Sequence, residues 1–260
     1  MKARLLCATV IAALLAVTIP AISQQPAPAF VSVIRIQVKP GLVAEWLEQA
    51  KLRAEAYRKA APADLFNLVC RTAVGNSNEF WVFQPLNKFA DRDGEPPAFK
   101  FTTPQERATL SARESQYVER IQSSIERVIG DLTVNRSGTN IFPAFVRLNR
   151  VRIRPGAAND YINNYKTDVI PIIKKINSNV RVHRIAFGGN TNEFAAYTLF
   201  DKWAELDDNT AFLNAVGGEA VAKKLSEKIS ANVLNNEAYI LRVMPDLTYF
   251  PAPAAAAPKR

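Results

Sequence analysis

The chain carries one histidine, His183, which is the single candidate for a catalytic residue. It lies in the β-branched run 180–185, where an imidazole could act as a general base or as a haem ligand, because its ordinary pKa is about 6.5. The alternative is a hydrogen-bonded structural histidine. A Ser-His-Asp triad would also have to use it, but the sequence contains no nucleophile-elbow motif.

Two arginines, Arg35 and Arg150, occupy the same place in two similar predicted strands. Strand alternation puts both on the face opposite to the more apolar one. Two guanidiniums beside one cavity would suit a carboxylate, a phosphate or the propionates of haem. The alternative is that each arginine pairs with a carboxylate at the rim of the fold or extends into solvent.

Aromatic and acidic residues occupy equivalent strands as well. Trp81 and Tyr197 lie on the same face of their respective strands. Aromatic rings in this position either fill a core or form a wall for a planar ligand. Glu79 and Glu193 each follow an Asn-rich turn. We interpret them as part of the turn rather than as an acid–base pair, because Asn tolerates the left-handed backbone conformation.

Cysteine and metal chemistry are limited by composition. One histidine and two cysteines exclude a zinc cluster and a disulfide scaffold. Cys70 lies in an apolar run and is interpreted as a buried structural thiol. No phosphate loop, dinucleotide fingerprint or clustered metal-ligand motif is present, so no motif indicates a cofactor. Haem is still a possible cofactor, because His183 could act as its ligand.

Two blocks of sequence occur twice in the same order. FVSVIRIQVKPG at 30–41 recurs as FVRLNRVRIRPG at 145–156, and GNSNEF at 75–80 recurs as GNTNEF at 189–194. Two separated blocks in one order indicate a tandem duplication. Aligned on the second block, His183 matches Val69, so we expect any site to be asymmetric.

Each repeat predicts the order β-α-β-β-α-β, which is the ferredoxin-like unit of the α+β class. The first repeat is predicted to have a strand from 30, a helix at 42–60, a hairpin at 65–86, a helix at 104–129 and a strand at 132–135. The second is predicted to have a strand from 145, a helix at 157–176, a hairpin at 180–200, a helix at about 218–233 and a strand at 238–244. Pro171 should kink the helix that contains it.

The chain begins with a pattern typical of a signal peptide. Lys2 and Arg4 precede the apolar run 5–19, and the small residues Ala21 and Ser23 follow, so we expect cleavage after Ser23. A retained anchor is the alternative, but the run is shorter than the roughly 20 residues that span a bilayer. The predicted organisation is a signal peptide at 1–23, a disordered spacer at 24–29, repeat 1 at 30–138, repeat 2 at 139–250 and a disordered Pro/Ala tail at 251–260.

The duplicated pattern resembles the dimeric α/β-barrel superfamily, which includes antibiotic-biosynthesis-type monooxygenases, NIPSNAP-like proteins and haem-handling chlorite-dismutase-like proteins. In a ferredoxin-like unit the helices leave one face of the sheet bare, and a bare apolar face needs a partner. The resemblance implies that the two repeats pack sheet to sheet as one intramolecular α/β barrel. It also implies a cavity between the sheets for an aromatic substrate or haem.

The charge pattern narrows the class of partner. Thirty-three Lys and Arg against 24 Asp and Glu give a net charge of +9, which is spread over both repeats without an arginine-rich arm. This distribution argues against nucleic acid and favours anionic small molecules or envelope surfaces.

We therefore expect an exported protein, periplasmic or extracellular, with no transmembrane span after cleavage. It would bind a small planar or anionic organic ligand between the sheets. The predicted contacts are Arg35, Arg150 and His183, with Trp81 and Tyr197 as walls. One alternative is a cofactor-independent monooxygenase or a haem-using enzyme. Another is a non-catalytic envelope or assembly protein, and a homodimer is compatible with all of these.

Overall fold

The computed structural model describes residues 28–60, 65–95, 99, 102–135, 143–207 and 209–251. The predicted signal peptide at 1–23, most of the spacer, the predicted repeat boundary at 138/139 and nearly all of the tail lie outside these ranges. Within them, no helix is long and apolar enough to cross a membrane.

The two repeats follow the same order of elements. The first consists of β1 Phe30–Val38, α1 Val43–Ala60, β2 Leu68–Val74, β3 Glu79–Leu86, α2 Pro104–Tyr117 and β4 Val118–Val128. The second consists of β5 Phe145–Ile153, α3 Ala158–Asn164, α4 Ile170–Lys175, β6 Asn179–Phe187, β7 Glu193–Phe200, α5 Thr210–Val216, α6 Glu219–Ser230 and β8 Val233–Val243. A π-helical turn at Tyr165–Val169 joins α3 to α4, just before Pro171, which has no backbone N–H to donate to the preceding turn.

Two predicted elements of the first repeat were wrong. The helix expected at 104–129 ends at Tyr117, and the rest of that range is strand β4. The apolar residues Val118, Ile121, Ile125 and Val128 are spaced like a helix face, but β4 pairs with β1 on one side and with β6 on the other. Two ladders of tertiary hydrogen bonds override the local periodicity. The strand expected at 132–135 is a short 3₁₀ turn followed by an isolated bridge.

The eight strands close into one barrel in the order β1-β3-β2-β8-β5-β7-β6-β4. Each repeat contributes four adjacent strands, and the two sheets join edge to edge through β2 with β8 and through β4 with β6. Closure removes the free edges that a four-stranded sheet would otherwise expose. The predicted α+β fold of two tandem ferredoxin-like repeats in one α/β barrel is confirmed.

Strand alternation divides the core into two kinds of layer. The even-numbered residues of β1, among them Ile36 and Val38, pack under α1 against Trp46. The odd-numbered residues Val31 and Val33 face into the barrel. The predicted faces of the first strand are therefore correct, and they direct Arg35 inward.

Candidate functional site

The inside of the barrel is filled by side chains. Its apolar residues are Val31, Val33, Cys70, Trp81, Phe83, Val146, Leu148, Ala195, Tyr197, Leu241 and Val243. None of them is more than 8% exposed, and four are at 0%. A void large enough for water would expose the atoms that line it, so this part of the barrel is a packed core.

The two inward arginines lie at the same end of the barrel, on opposite sides. All neighbouring strands are antiparallel, and β1 and β5 are four steps apart, so these two strands run in the same direction. Each arginine forms an ion pair within its own repeat: Arg35 Nε lies 2.6 Å from Glu79 Oε2, and Arg150 Nε lies 2.6 Å from Glu193 Oε1. Both guanidiniums already have a carboxylate partner.

In the first repeat the ion pair is closed in by other side chains. Glu79, 1% exposed, also accepts a 2.9 Å hydrogen bond from Trp81 Nε1, and Trp81 lies 3.2 Å from the Thr72 hydroxyl. The Arg35 guanidinium lies 5.0 Å from the centre of the Trp81 ring and 5.4 Å from that of Tyr239, so cation–π attraction adds to the ion pair. The Trp81 ring therefore packs and hydrogen-bonds within this cluster.

In the second repeat the ion pair borders a small pocket, which we call the barrel mouth. Its volume is about 30 Å³, enough for a water molecule, and it is lined by Arg150, Arg152, Glu193, Asn235 and Glu237. Burial lowers the pKa of the Arg150 guanidinium, but the negative charges of Glu193 and Glu126 raise it by more. The pKa is therefore raised overall. Glu126 therefore connects the barrel mouth electrostatically to the interior.

Deeper in the second half lies a polar group that we call the Glu126 cluster: Glu126, His183 and Tyr197. The Tyr197 hydroxyl donates to Glu126 Oε2 at 2.6 Å, and His183 Nδ1 lies 3.1 Å from the same oxygen. An ionised carboxylate only accepts, so with Glu126 ionised it is Nδ1 that donates in this contact, and Nε2 is the ring nitrogen that does not contact Glu126. Burial, and then the charge of Glu126, raise the pKa of Tyr197 well above its ordinary value, which keeps the phenol protonated.

The strand ladders correct the predicted partner of His183. His183 pairs with Ala195, and its equivalent in the first repeat is Cys70, which pairs with Trp81. Alignment to Val69 was wrong by one position, because the second hairpin turn has one more residue, with Gly188-Gly189 where the first has Gly75.

The whole Glu126 cluster has apolar equivalents. By the same ladders, Tyr197 corresponds to Phe83 and Glu126 to Leu241. Cys70 is fully buried, and burial raises the pKa of its thiol, in agreement with the predicted structural role. The duplicated fold therefore has one polar and one apolar version of this position.

The described residues around His183 do not accommodate haem. His183 is 5% exposed, its Nδ1 is hydrogen-bonded to Glu126, and its ring centroid lies 4.8 Å from that of Tyr197. A haem plane would need an open slot beside the imidazole, and the packed core provides none there. Within the described ranges, no three His, Cys, Asp or Glu residues are grouped so that they could hold a metal ion.

Comparison with solved structures identifies the architecture. A protein from Fusobacterium nucleatum that is provisionally named a monooxygenase matches with a TM-score of 0.60 at 11% identity, over 84% of this chain and 94% of that one. An anthrone oxidase-like protein matches at 0.55 and 11% identity, over 88% and 97%. The chain has the fold of the dimeric α/β-barrel superfamily.

A third dimeric α/β barrel, a variant of chlorite dismutase from Candidatus Nitrospira defluvii, matches with a TM-score of 0.52 at 6% identity, over 85% of this chain and 94% of that one. Identities this low establish the shared barrel and not a shared activity. No protein-family model matches the sequence, and no curated protein matches it.

Placed in this barrel, the predicted site residues separate into two groups. His183 and Tyr197 both contact Glu126, and Arg150 lies on the same inner face, within reach of the charge of Glu126. Arg35 and Trp81 lie in the first half with Glu79. Trp81 and Tyr197 are both rings of the core, and neither faces an open slot. The ligand-binding roles of these two rings and of the two arginines stay predictions.

Glu126 was not among the predicted site residues, and two other carboxylates were assigned only a turn role. Glu126 falls in the range predicted as helix, where its direction could not be inferred. Glu79 and Glu193 were assigned to turns, but the turn contacts come from Asn76 and Asn190, whose side-chain oxygens accept from the N–H groups of Asn78 and Asn192. The repetition of Arg and Glu in both units was the available signal.

Proposed function

We propose that the second-repeat half of the barrel is an acid–base site that binds a small planar organic molecule with an acidic hydroxyl group. The observation that supports this is the Glu126 cluster, which occurs in a packed core where the equivalent positions of the duplicated fold hold Cys70, Leu241 and Phe83. Burying three polar groups costs free energy that apolar residues avoid. Since the equivalent positions build the same fold with Cys70, Leu241 and Phe83, the fold alone does not account for the three polar groups.

In this proposal His183 is the base. The Glu126 carboxylate fixes the tautomer with Nδ1 protonated and stabilises the imidazolium that forms when Nε2 accepts a proton from the ligand hydroxyl. The Tyr197 hydroxyl holds the same carboxylate oxygen from a second direction. Glu126 and Tyr197 act as positioning residues.

The charges at the barrel mouth favour a neutral ligand over an anion. Arg150 is paired with Glu193, and the two arginines and two glutamates that line the mouth balance in charge, so the mouth has no net positive charge to attract an anion. This narrows the expected planar or anionic ligand to a planar, phenol-type compound. The pocket of about 30 Å³ admits only the hydroxyl end of such a compound, and no residue of the Glu126 cluster lines it. Access to His183 therefore requires movement of side chains, among them the exposed Asn235 and Glu237.

Binding of 4-nitrophenol tests the proposal, because its ionised form absorbs visible light and the neutral form does not. We expect saturable binding with a visible band at a pH where the free compound is mostly neutral. His183→Gln should abolish the band. The single histidine also provides a unique imidazole signal in long-range ¹H–¹⁵N spectra, which should shift on titration.

The repeats supply a matched control. Arg150→Gln, at the barrel mouth, should weaken the binding, whereas Arg35→Gln, at the equivalent position of the first repeat, should leave it unchanged. Circular dichroism confirms the folding of each variant. Equal loss in both arginine variants, or no saturable binding by the wild type, would refute the site.

A second candidate, cofactor-independent oxygenase chemistry, would use the same base, since such enzymes rely on the reactivity of an ionised substrate. The fold shared with proteins named as monooxygenases supports testing it. Oxygen consumption with 1,4-dihydroxynaphthalene, compared between wild type and His183→Gln at equal concentration, separates an oxygenase from a binding protein. If neither phenol binding nor oxygen uptake depends on His183, the non-catalytic alternative is favoured.

We also propose that the protein is exported, on the basis of the leader pattern at 1–23. Intact-mass measurement of the protein recovered from culture would test this. A mature chain that begins at Gln24 is expected, and a chain that retains residues 1–23 would contradict export by cleavage.

A further inference from the structure

Another arginine, Arg181, faces into the barrel and has no carboxylate partner among the described residues. Arg181 lies two residues before His183 on β6 and pairs with the inward-facing Tyr197, so strand alternation directs it to the inner side. It is partly buried. Among the described residues no ion pair or hydrogen bond to its guanidinium is found, in contrast to Arg35 and Arg150.

The surroundings of Arg181 confirm that it stands apart from the other charges. Burial lowers the pKa of its guanidinium, and no charged group contributes to the change. For Arg150, by comparison, Glu193, Glu126 and Tyr197 all contribute. The equivalent of Arg181 in the first repeat is Leu68, which pairs with Phe83, so the fold does not require a cation here.

A second unsatisfied group lies on the same face of the same strand. Asn179 Oδ1 is buried and accepts no hydrogen bond from the part of the chain that the structure describes. Asn179 pairs with Leu199, which packs against the barrel core together with Val128. A lone cation and a lone acceptor, two residues apart and beside apolar side chains, are each costly unless a ligand satisfies them.

We propose that Arg181 and Asn179 form an anion site at the start of β6 for a small α-hydroxy carboxylic acid. The ligand carboxylate accepts hydrogen bonds from the Arg181 guanidinium, which offers a planar fork of donors. The hydroxyl beside it donates to Asn179 Oδ1, and the short carbon chain lies against Leu199 and Val128. The site is separate from the Glu126 cluster and does not depend on the function proposed for it.

Thermal unfolding with sodium lactate, sodium propionate and sodium chloride at equal ionic strength tests the site. Lactate should raise the Tm of the wild type saturably, by about 4 °C at ten times its Kd. Propionate, which lacks the hydroxyl, should bind more weakly, and chloride should have no saturable effect. No saturable response to lactate would overturn the proposal.

Arg181→Leu, which installs the residue of the first repeat, separates a ligand site from a structural role. Without ligand this variant should unfold at a higher temperature than the wild type, because an unpaired buried charge is removed, and lactate should no longer raise its Tm. The control Arg147→Leu removes an exposed arginine and should keep the full lactate response. A lower Tm for Arg181→Leu combined with an unchanged response would show that Arg181 serves the fold.

Asn179→Ala tests the hydroxyl contact. It should respond to propionate as the wild type does and lose the additional response to lactate. A retained preference for lactate in this variant would exclude Asn179 from the site.

Discussion

The two halves of the barrel are built on the same arginine–glutamate pair but use the space beside it differently. In the first half, Trp81 fills that space and donates to Glu79. In the second half, Ala195 stands where Trp81 would be, and His183 lies beside it across the ladder. The ion pair is thus common to both repeats, whereas the polar Glu126 cluster occurs at only one of the two seams between them, β4 with β6, and not at β2 with β8.

The largest effect is expected from making the first half resemble the second. Trp81→Ala removes a fully buried ring and leaves Glu79 without its indole donor, so it should lower the free energy of unfolding by about 3–5 kcal/mol. Urea denaturation measures the change. A loss below about 1 kcal/mol would mean that the first-half cluster is not the rigid part of the barrel.

The reverse exchange, at Glu126, tests whether the second-half cluster is needed for folding. Glu126→Leu strands the His183 and Tyr197 hydrogen-bonding groups in the core, so it should cost about 2–4 kcal/mol by urea denaturation.

The triple variant Glu126→Leu, His183→Cys, Tyr197→Phe is the control for that exchange. It installs the residues found at the three equivalent positions, Leu, Cys and Phe, and should recover most of the loss, because no polar group is then left unpaired. If the triple variant is less stable than Glu126→Leu alone, the cluster is structural.

The repeated carboxylates allow a closer comparison. The Glu79 side chain is 1% exposed and that of Glu193 is 14% exposed. Glu79→Gln should therefore cost about 2 kcal/mol and Glu193→Gln about 1 kcal/mol, because solvent screens the second pair more. Paired denaturation curves at pH 7 would check the order, and equal costs would show that Trp81 and Thr72 add nothing to the first pair.

The smallest effect concerns pH. The pKa of Tyr197 is raised in the folded protein, so the unfolded chain loses this proton first, and the stability that it contributes is lost as the pH rises above about 10. Tyr197→Phe, the residue of the first repeat, should make the free energy of unfolding fall less steeply between pH 9 and 11. Identical slopes in the two proteins would indicate that Tyr197 titrates normally.

The fold and the site could be predicted from the sequence wherever the local residue pattern agreed with the strand pairing of the folded protein. The first strand of each repeat alternates clearly, so the inward direction of Arg35 and Arg150 followed from the residues alone. At 118–128 the spacing of apolar residues favours a helix, and only pairing with β1 and β6 makes it a strand. Because Glu126 lies in that segment, the central carboxylate of the candidate site was not predicted.

The sequence by itself determined the duplication, the ferredoxin-like order of elements and the inner and outer faces of the first strands, since these follow from repeated motifs and from a two-residue period. The tertiary structure decided which residues meet inside the barrel. Glu126, His183 and Tyr197 come from three strands and both repeats, and Arg181 lacks a partner only because no described carboxylate reaches it. Such contacts are set by barrel closure and strand register. These bring together residues that are far apart in the chain, and no local sequence pattern signals them.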